Sequence, residues 1–302
     1  MANKNMTPQT PPVCNYEGSD YQTSFWEEGG RDYEDQTEAI ALRRLLPPRG
    51  NLLLEVGAGA GRNTPRYKGY QRIVLLDYSL TQLQQAQTRL GRGDRYIYAA
   101  ADAYKLPFVN NLFDGATMIR TLHHMADAPA ALREIRRVMQ PQGTFILEFA
   151  NKLNLKAIAR YLLGRQNWSP FTPEPVEFVE LNFDFHPKTI RAWLKEAGFQ
   201  VERQLTVSHF RIGLLKKLVP LKILVAMDSM AQFTGGWWQL TPSVFTRNQA
   251  VESVTEGNAV VDGFFRCPAC GSANLREEQD ALTCSSCSSV WPVRDGIYDF
   301  RG

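Results

Sequence analysis

Three carboxylates and three glycines in the first third of the chain have the types and spacing to hold a ligand. Residues 52–62 read Leu-Leu-Leu-Glu-Val-Gly-Ala-Gly-Ala-Gly-Arg. Leu52, Leu53, Leu54 and Val56 suit a strand buried on both faces, and Gly57, Gly59 and Gly61 follow at once. A turn rich in glycine takes positive φ and lets a nucleotide-like ligand approach the backbone closely. Glu55 stands just before this turn. Asp77, with Tyr78 beside it, closes the next apolar run 20 residues after Gly57, and Asp102, followed by Ala103, closes a third. Far along the chain, Cys267 and Cys270 face a second pair, Cys284 and Cys287, across 13 intervening residues.

The glycine turn alone leaves the ligand open. The dinucleotide fingerprint needs a third glycine for close helix–strand packing, and the positions where it would fall hold Arg62 or Thr64, which disfavours NAD and FAD. No Gly-Lys-Ser/Thr follows, which excludes a P-loop. Glu55 would oppose a phosphate and suit an ammonium. Asp77 has the spacing at which a carboxylate takes ribose hydroxyls, and Asp102 can accept from an adenine amine. Three acids at three successive strand tips point to a cationic, adenosine-bearing cofactor, S-adenosylmethionine.

The cysteines read differently. Two Cys-x-x-Cys knuckles supply four thiolates for tetrahedral zinc. Four sulfurs leave no position for water, so such a zinc holds structure and does no chemistry. A module of about 40 residues has too little core to fold without a staple of this kind.

Strands and helices must alternate to place these groups. Strands are expected at 52–56, 72–76, 95–99, 114–119 and 144–149, with helices at 33–46, 80–90 and 128–139, the last stopped by Pro141-Gln142-Gly143. A later pair, 199–207 and 243–248, is expected to complete the sheet as antiparallel edge strands, with a helix at 188–197. The fold class is therefore α/β: a Rossmann-like, doubly wound, mostly parallel seven-stranded sheet, with a small C-terminal zinc-ribbon module. The expected organisation is a loose lead-in at 1–30, a main domain at 31–250, a linker at 251–263 and the ribbon at 264–302. Insertions at 151–187, rich in aromatics and prolines, and at 208–241, with a basic apolar stretch, are assigned to a substrate cover.

The joint pattern resembles the class I S-adenosylmethionine-dependent methyltransferases with the "methyltransferase type 11" signature. The matching residues are Leu54 to Arg62, then Leu76-Asp77-Tyr78-Ser79, Ala101-Asp102-Ala103 leading to Leu106-Pro107-Phe108, and Phe113-Asp114. Leu122-His123-His124, Leu132 to Val138 and Pro141-Gln142-Gly143 complete it, where the family has Pro-Gly-Gly. The resemblance implies that the glycine turn lies against the methionine part, Asp77 takes the ribose and Asp102 the adenine. It also implies that Arg120 and Thr121 line the reaction pocket. The tail from Val290 to Phe300 resembles the small zinc-ribbon proteins that activate tRNA, rRNA and protein methyltransferases as a separate subunit, here in one chain with the enzyme.

Methyl transfer needs little beyond in-line alignment, so no catalytic residue is assigned. His123 and His124 are read first as the start of a loop, and Arg31 and Tyr33 either pack or close over the cofactor. The 302 residues carry a net charge of +3 with 44% hydrophobic and 22% charged residues, as in ordinary globular proteins. Residues 151–250 are net +6 and residues 251–302 net −4. The acidic ribbon argues against a phosphate-binding role and for docking on its own methyltransferase domain or another protein. The N-terminal stretch has no apolar core of a secretory signal and no run spans a bilayer, so a cytoplasmic location is expected. The expected acceptor is a small, partly apolar molecule, with a peripheral membrane approach open to the 212–227 stretch. An RNA or protein methyltransferase with a self-contained activator ribbon, and a non-catalytic S-adenosylmethionine-binding scaffold, are the alternatives.

Overall fold

The computed structural model describes residues 11–19, 24, 26, 28–251 and 263–301. Its elements run α1 Asp32–Leu45, β1 Gly50–Val56, β2 Tyr70–Asp77, α2 Leu80–Leu90, β3 Tyr96–Ala100, β4 Phe113–Met118, α3 Ala128–Val138 and β5 Met139–Ala150. Residues 151–250 add α4 Leu155–Leu162, β6 Val176–Val179, β7 Asn182–Asp184, α5 Pro187–Glu196, β8 Phe199–Val207, α6 Gly213–Leu218, α7 Leu221–Ala231 and β9 Ser243–Ala250. Four short strands close the chain: β10 Leu275–Glu277, β11 Ala281–Cys284, β12 Val290–Arg294 and β13 Ile297–Asp299.

The central sheet has the expected seven strands, in the order β3-β2-β1-β4-β5-β9-β8. β1 to β5 are parallel, and their middles are buried on both faces, as helix-covered parallel sheets require. Leu42, Leu45, Leu83 and Ala86 from α1 and α2 pack on one face; Leu132, Ile135, Ile190 and Leu194 from α3 and α5 pack on the other. Local chemistry sets the helix starts. Ser79 Oγ accepts from the Gln82 N–H at 3.2 Å to cap α2, and Asp127 Oδ1 accepts from the Ala130 N–H at 3.0 Å to cap α3.

Two expectations need correction. Only β9 is antiparallel; it lies inside, between β5 and β8, so β8 is an edge strand running with the parallel set. β8 follows α5, a helical crossover that returns the chain in the parallel direction, whereas β9 follows the 208–242 segment and enters between β5 and β8 in the opposite sense. Pro141-Gln142-Gly143 also lies within β5, beyond the end of α3, and makes an irregularity there with Gln142 at φ 65°.

The C-terminal strands do not form a detached module. β13 pairs in parallel with β3, Ile297 opposite Tyr98 and Asp299 opposite Ala100, extending the sheet to eleven strands. A second line of bonds joins the Arg266 N–H to the Pro107 carbonyl at 3.0 Å and the Val109 N–H to the Phe264 carbonyl at 3.3 Å. Phe265, Trp291 and Phe300 then pack into the main core beside Phe108. The edge of a parallel sheet exposes unpaired backbone groups, and the last strand covers that edge. Most of the expected linker, 252–262, lies outside the described residues, as do residues 1–10 of the expected lead-in. Residues 11–19 do not trail: the Gly18 N–H donates to Thr81 Oγ1 at 3.1 Å and Glu17 accepts from the first turn of α2.

Candidate active site and thiol cluster

The carboxyl ends of β1, β2, β3 and β4 surround a cleft of about 780 Å³ of atom-free space, counting the part open to solvent. Gly57, Gly59, Asp77, Tyr78, Asp102, Ala103 and Arg120 line it. Gly57 has φ 70° and lies so close to Thr121 that a Cβ would come 2.1 Å from Thr121 Oγ1. Gly59, at φ 53°, would direct a Cβ into nearly open cleft space, 3.7 Å from Gln82 Oε1. Backbone can reach a ligand there because no side chain fills the gap.

Asp77 organises the turn. Its Oδ2 accepts from the Gly59 N–H at 2.8 Å and its Oδ1 from the Ser79 N–H at 2.9 Å. Burial nevertheless pushes its carboxyl up from the ordinary value, against the pull of those N–H groups. Asp102 accepts from the Tyr104 N–H at 2.9 Å, and burial raises it likewise. Each oxygen keeps lone pairs for further donors, which suits ribose hydroxyls at Asp77 and an amine at Asp102. The donor set and the glycine cradle fit an adenosine-bearing ligand.

Glu55 and Gly61 are not brought into the cleft. Glu55 turns to the opposite side of β1, where its carboxylate accepts from Thr64 Oγ1 at 2.6 Å and Tyr67 Oη at 3.2 Å. Burial pushes it up to about 7. Residues alternate faces along a strand, so Glu55 shares the side of Leu53. Gly61 admits α2: a Cβ there would meet Leu90 Cδ1 at 2.9 Å and Ala86 at 3.3 Å.

Arg120 sits at φ 56° at the tip of β4, and its N–H donates to Glu148 Oε2 at 2.9 Å. Its guanidinium pairs with the buried Glu38, donating from Nε at 2.6 Å. Burial pushes the Glu38 carboxyl upward, but Arg120 and Arg62 outweigh it and hold the group below its ordinary range. Both guanidinia also lie over Trp26, that of Arg62 at 3.5 Å and that of Arg120 at 5.2 Å from the ring centroid.

His124 lines the cleft as well, in a one-turn helix from Leu122 to His124. Its Nδ1 lies 3.1 Å from the Leu181 carbonyl and its Nε2 3.1 Å from Tyr16 Oη. A carbonyl only accepts, which places the proton on Nδ1, so Tyr16 donates to Nε2. Both nitrogens are engaged, and burial lowers the imidazole's affinity for a second proton. His124 is a clasp between the 11–19 segment and the β6–β7 hairpin. Tyr33 packs and does not cover the cofactor cleft: its hydroxyl donates to Asp228 Oδ2 at 2.7 Å. Arg31 pairs with Glu34 at 3.6 Å.

Sequence reasoning missed Val13, Cys14 and Tyr16 in the cleft wall, together with Gln82, Tyr104 and Met125. The first three come from a segment with no periodicity to mark it. A second, larger cavity of about 2020 Å³, counted the same way, opens between the two insertions. Trp168, Asp184, Ser208, His209, Arg211 and Trp238 are among its walls.

The four cysteines of the C-terminal pairs converge. Their sulfurs all lie within 4.8 Å of one another, with Cys267 Sγ to Cys287 Sγ at 3.7 Å and Cys270 Sγ to Cys284 Sγ at 3.6 Å. No disulfide joins them. A tetrahedral metal at about 2.3 Å from each sulfur needs sulfurs about 3.8 Å apart, close to the 3.7 and 3.6 Å of these two pairs.

Residues 54–147 match the family described as "Methyltransferase domain". The chain is 29% identical over 201 residues to an O-methyltransferase of Penicillium expansum, covering 61% of this chain and 66% of that one. It is 29% identical over 182 residues to the demethylmenaquinone methyltransferase of Clavibacter sepedonicus, covering 55% and 72%. It is 30% identical over 169 residues to a ubiquinone/menaquinone biosynthesis C-methyltransferase of Pseudomonas savastanoi, covering 50% and 65%. The chain thus spans about two thirds of the length of these relatives. A chain of the complex between the Haloferax volcanii Trm112 methyltransferase activator and a putative methyltransferase superposes with a TM-score of 0.55 at 18% identity, over 77% of this chain and 96% of that one. An S-adenosylmethionine-dependent methyltransferase of Mesorhizobium loti superposes with a TM-score of 0.53 at 20% identity, over 72% and 99%. The fold is the Rossmann-like α/β methyltransferase fold, and residues 54–147 form an S-adenosylmethionine-dependent methyltransferase domain.

Proposed function

We propose that the whole chain transfers the methyl group of S-adenosylmethionine to a small, partly apolar acceptor, and that its C-terminal strands hold a structural zinc. The observation that carries the acceptor reading is the second cavity, walled by both insertions beside the cofactor cleft. Two of its wall residues sense charges at the strand tips, Asp184 that of Glu148 and Arg211 that of Arg120, which suits delivery of an acceptor to the place where α/β folds bind ligands.

Bound S-adenosylmethionine would supply an electrophilic methyl on a sulfonium. Asp77 would hold its ribose, Asp102 and Ala103 its adenine, and the turn at Gly57 and Gly59 its methionine end. Tyr16 and His124 would shield the cleft, and exclusion of water strengthens every polar contact inside it.

The segment that gives the cavity Ile212, Gly213 and Trp238 also carries apolar side chains to the surface, which suits a lipophilic acceptor. Leu214 and Leu218 of α6 and Met230 of α7 are 66%, 70% and 78% exposed, and Trp237 is 82% exposed. Lys216, Lys217 and Lys222 are interspersed with them. An apolar face edged with lysine suits contact with a lipid headgroup region. No helix among the described residues is long and apolar enough to cross a membrane.

Relatives named for demethylmenaquinone and ubiquinone/menaquinone methylation support a small-molecule acceptor. The test is to incubate the chain with labelled S-adenosylmethionine and fractionated cell extract. Label in the lipid or small-molecule fraction is expected. Label confined to RNA or protein would overturn the acceptor class.

A further inference from the structure

The acceptor cavity contains a carboxylate that the fold leaves without a task. Asp184, on β7, lines that cavity and is half-buried, yet among the described residues its side chain accepts no hydrogen bond. Its oxygens open onto the cavity, so their donors must come from what fills it, water or a ligand. Its charged neighbours come from separate elements: Glu148 on β5, Lys152 just after β5 and Arg211 beyond β8. None of them is bonded to it. Lys152 Nζ instead donates to Thr172 Oγ1 at 3.2 Å and to the Glu174 carbonyl at 2.6 Å, and Arg211 Nε lies 3.3 Å from Glu34.

The position connects the two cavities. β7 packs against the one-turn helix at Leu122–His124, whose His124 lines the cofactor cleft. The Leu181 carbonyl that holds His124 lies at the start of the same hairpin strand. Glu148, the nearest like charge, accepts from the Arg120 N–H on the cleft wall. Asp184 therefore stands on the element between donor and acceptor. Two further polar atoms on the cavity wall have no partner among the described residues: Ser208 Oγ, on a fully buried residue, and His209 Nε2. Adjacent unpartnered groups of this kind mark where a polar part of a ligand belongs.

The geometry points to Asp184 as the general base of the methyl transfer, and hence to an acceptor that presents a hydroxyl group, phenolic or enolic, on an apolar body. The hydroxyl proton passes to an Asp184 carboxylate oxygen as the acceptor oxygen bonds to the methyl carbon. The carbon–sulfur bond breaks with its electron pair left on sulfur, and Asp184 later releases the proton to water. Burial, and then Glu148, raise the Asp184 carboxyl to about 6, while Lys152 and Arg211 limit the rise. A base of that strength takes a proton efficiently near neutral pH. The inference rests on the second cavity being the acceptor site.

The probes are 2-naphthol and 4-nitrocatechol, with 2-methoxynaphthalene as the control lacking a hydroxyl. The full chain and its Asp184→Asn and Asp184→Glu variants are each titrated with S-adenosylmethionine and assayed for label transfer. Asp184→Asn is expected to bind the cofactor as the wild type does and to lose roughly 10²- to 10⁴-fold in transfer rate. The wild-type rate should fall below about pH 6. That acidic limb should vanish in Asp184→Asn and return in part in Asp184→Glu. His209 and Arg211 on the cavity wall, Glu148 and Lys152 beside Asp184, and His123 and His124 on the helix packed against β7 surround this region, and only loss of the limb on Asp184 replacement assigns it to Asp184. An Asp184→Asn variant with wild-type rate and limb overturns the base. A wild type that binds S-adenosylmethionine but methylates neither hydroxyl probe overturns the hydroxyl class. Failure to bind S-adenosylmethionine strikes the cofactor reading instead.

Discussion

Arg301 donates to Glu17 at 2.9 Å across 284 residues of sequence, tying the strand that covers the sheet edge to the segment that covers the cofactor cleft. Glu17 also accepts from the Leu80 and Thr81 N–H groups at 3.0 Å each, satisfying the otherwise unpaired donors at the start of α2. Arg301 reaches the Tyr78 carbonyl at 3.1 Å as well and is forked by Asp299 at 2.9 and 3.0 Å. The C-terminal strands therefore bear on the turn expected to hold the ribose.

Arg301→Ala is accordingly expected to weaken S-adenosylmethionine binding. The pair is partly exposed, so the loss should be about 0.5–1 kcal/mol, or two- to five-fold in Kd. Isothermal titration measures it. An unchanged Kd would mean that the tie holds the two ends without preorganising the cleft.

Metal analysis of the purified chain should give one zinc per chain, lost in Cys284→Ser. Leu282 and Trp291 of the C-terminal strands share a core cluster with β1 to β5. Removal of the zinc by a chelator should therefore lower the Tm of the whole protein in one transition. A separate low-temperature transition, with the main one unmoved, would show that the strands are held to the sheet too weakly to be coupled to it.

Much of this was legible before the fold was seen, because it rests on local signals. The Gly57–Gly61 turn, Asp77 and Asp102 follow short apolar runs, and the cysteine knuckles carry their own spacing. The places where the reading fell short depend on distant partners. Nothing near Tyr16 or Glu17 marks them as covering a cleft, because their partners His124 and Arg301 lie 108 and 284 residues away. The pairing of β13 with β3 is equally non-local; a strand edge carries no sequence mark of what will cover it. Glu55 is a different case. The alternation of side chains along β1 places it with Leu53, on the face of Thr64 and Tyr67, whatever charge a ligand in the cleft carries.

Gly57→Ala should damage both the fold and the cleft. A residue with a Cβ at φ 70° costs about 1–2 kcal/mol. The new methyl would also meet Thr121 Oγ1 at 2.1 Å. Thr121→Gly added to it should recover the steric part, since the Thr121 Cβ alone would lie 2.8 Å from the new methyl, and leave the backbone part. A double-mutant cycle on Tm and S-adenosylmethionine affinity separates the two. Strict additivity of the single changes would show that the clash is relieved elsewhere.

Glu55 gives the stability of the protein a pH dependence of a particular sign. Its folded pKa of about 7 lies above the roughly 4.3 of an unfolded glutamate, so between those values the native chain holds a proton that the unfolded chain has released. Its contribution is fully present below about pH 4.3 and is lost as pH rises through about 7. The whole swing amounts to roughly 4 kcal/mol. Glu55→Gln keeps an acceptor for Thr64 and cannot ionise, so it should remove that loss. Asp35 and Glu38, held below their ordinary range by arginines, slope the other way in both proteins and cancel in the comparison. Urea unfolding at pH 5 and pH 7.5 is the measurement. Glu55→Gln should gain on the wild type between the two pH values. A stability difference that does not change with pH would mean that Glu55 stays ionised in the folded protein, with Thr64 and Tyr67 enough to hold its charge.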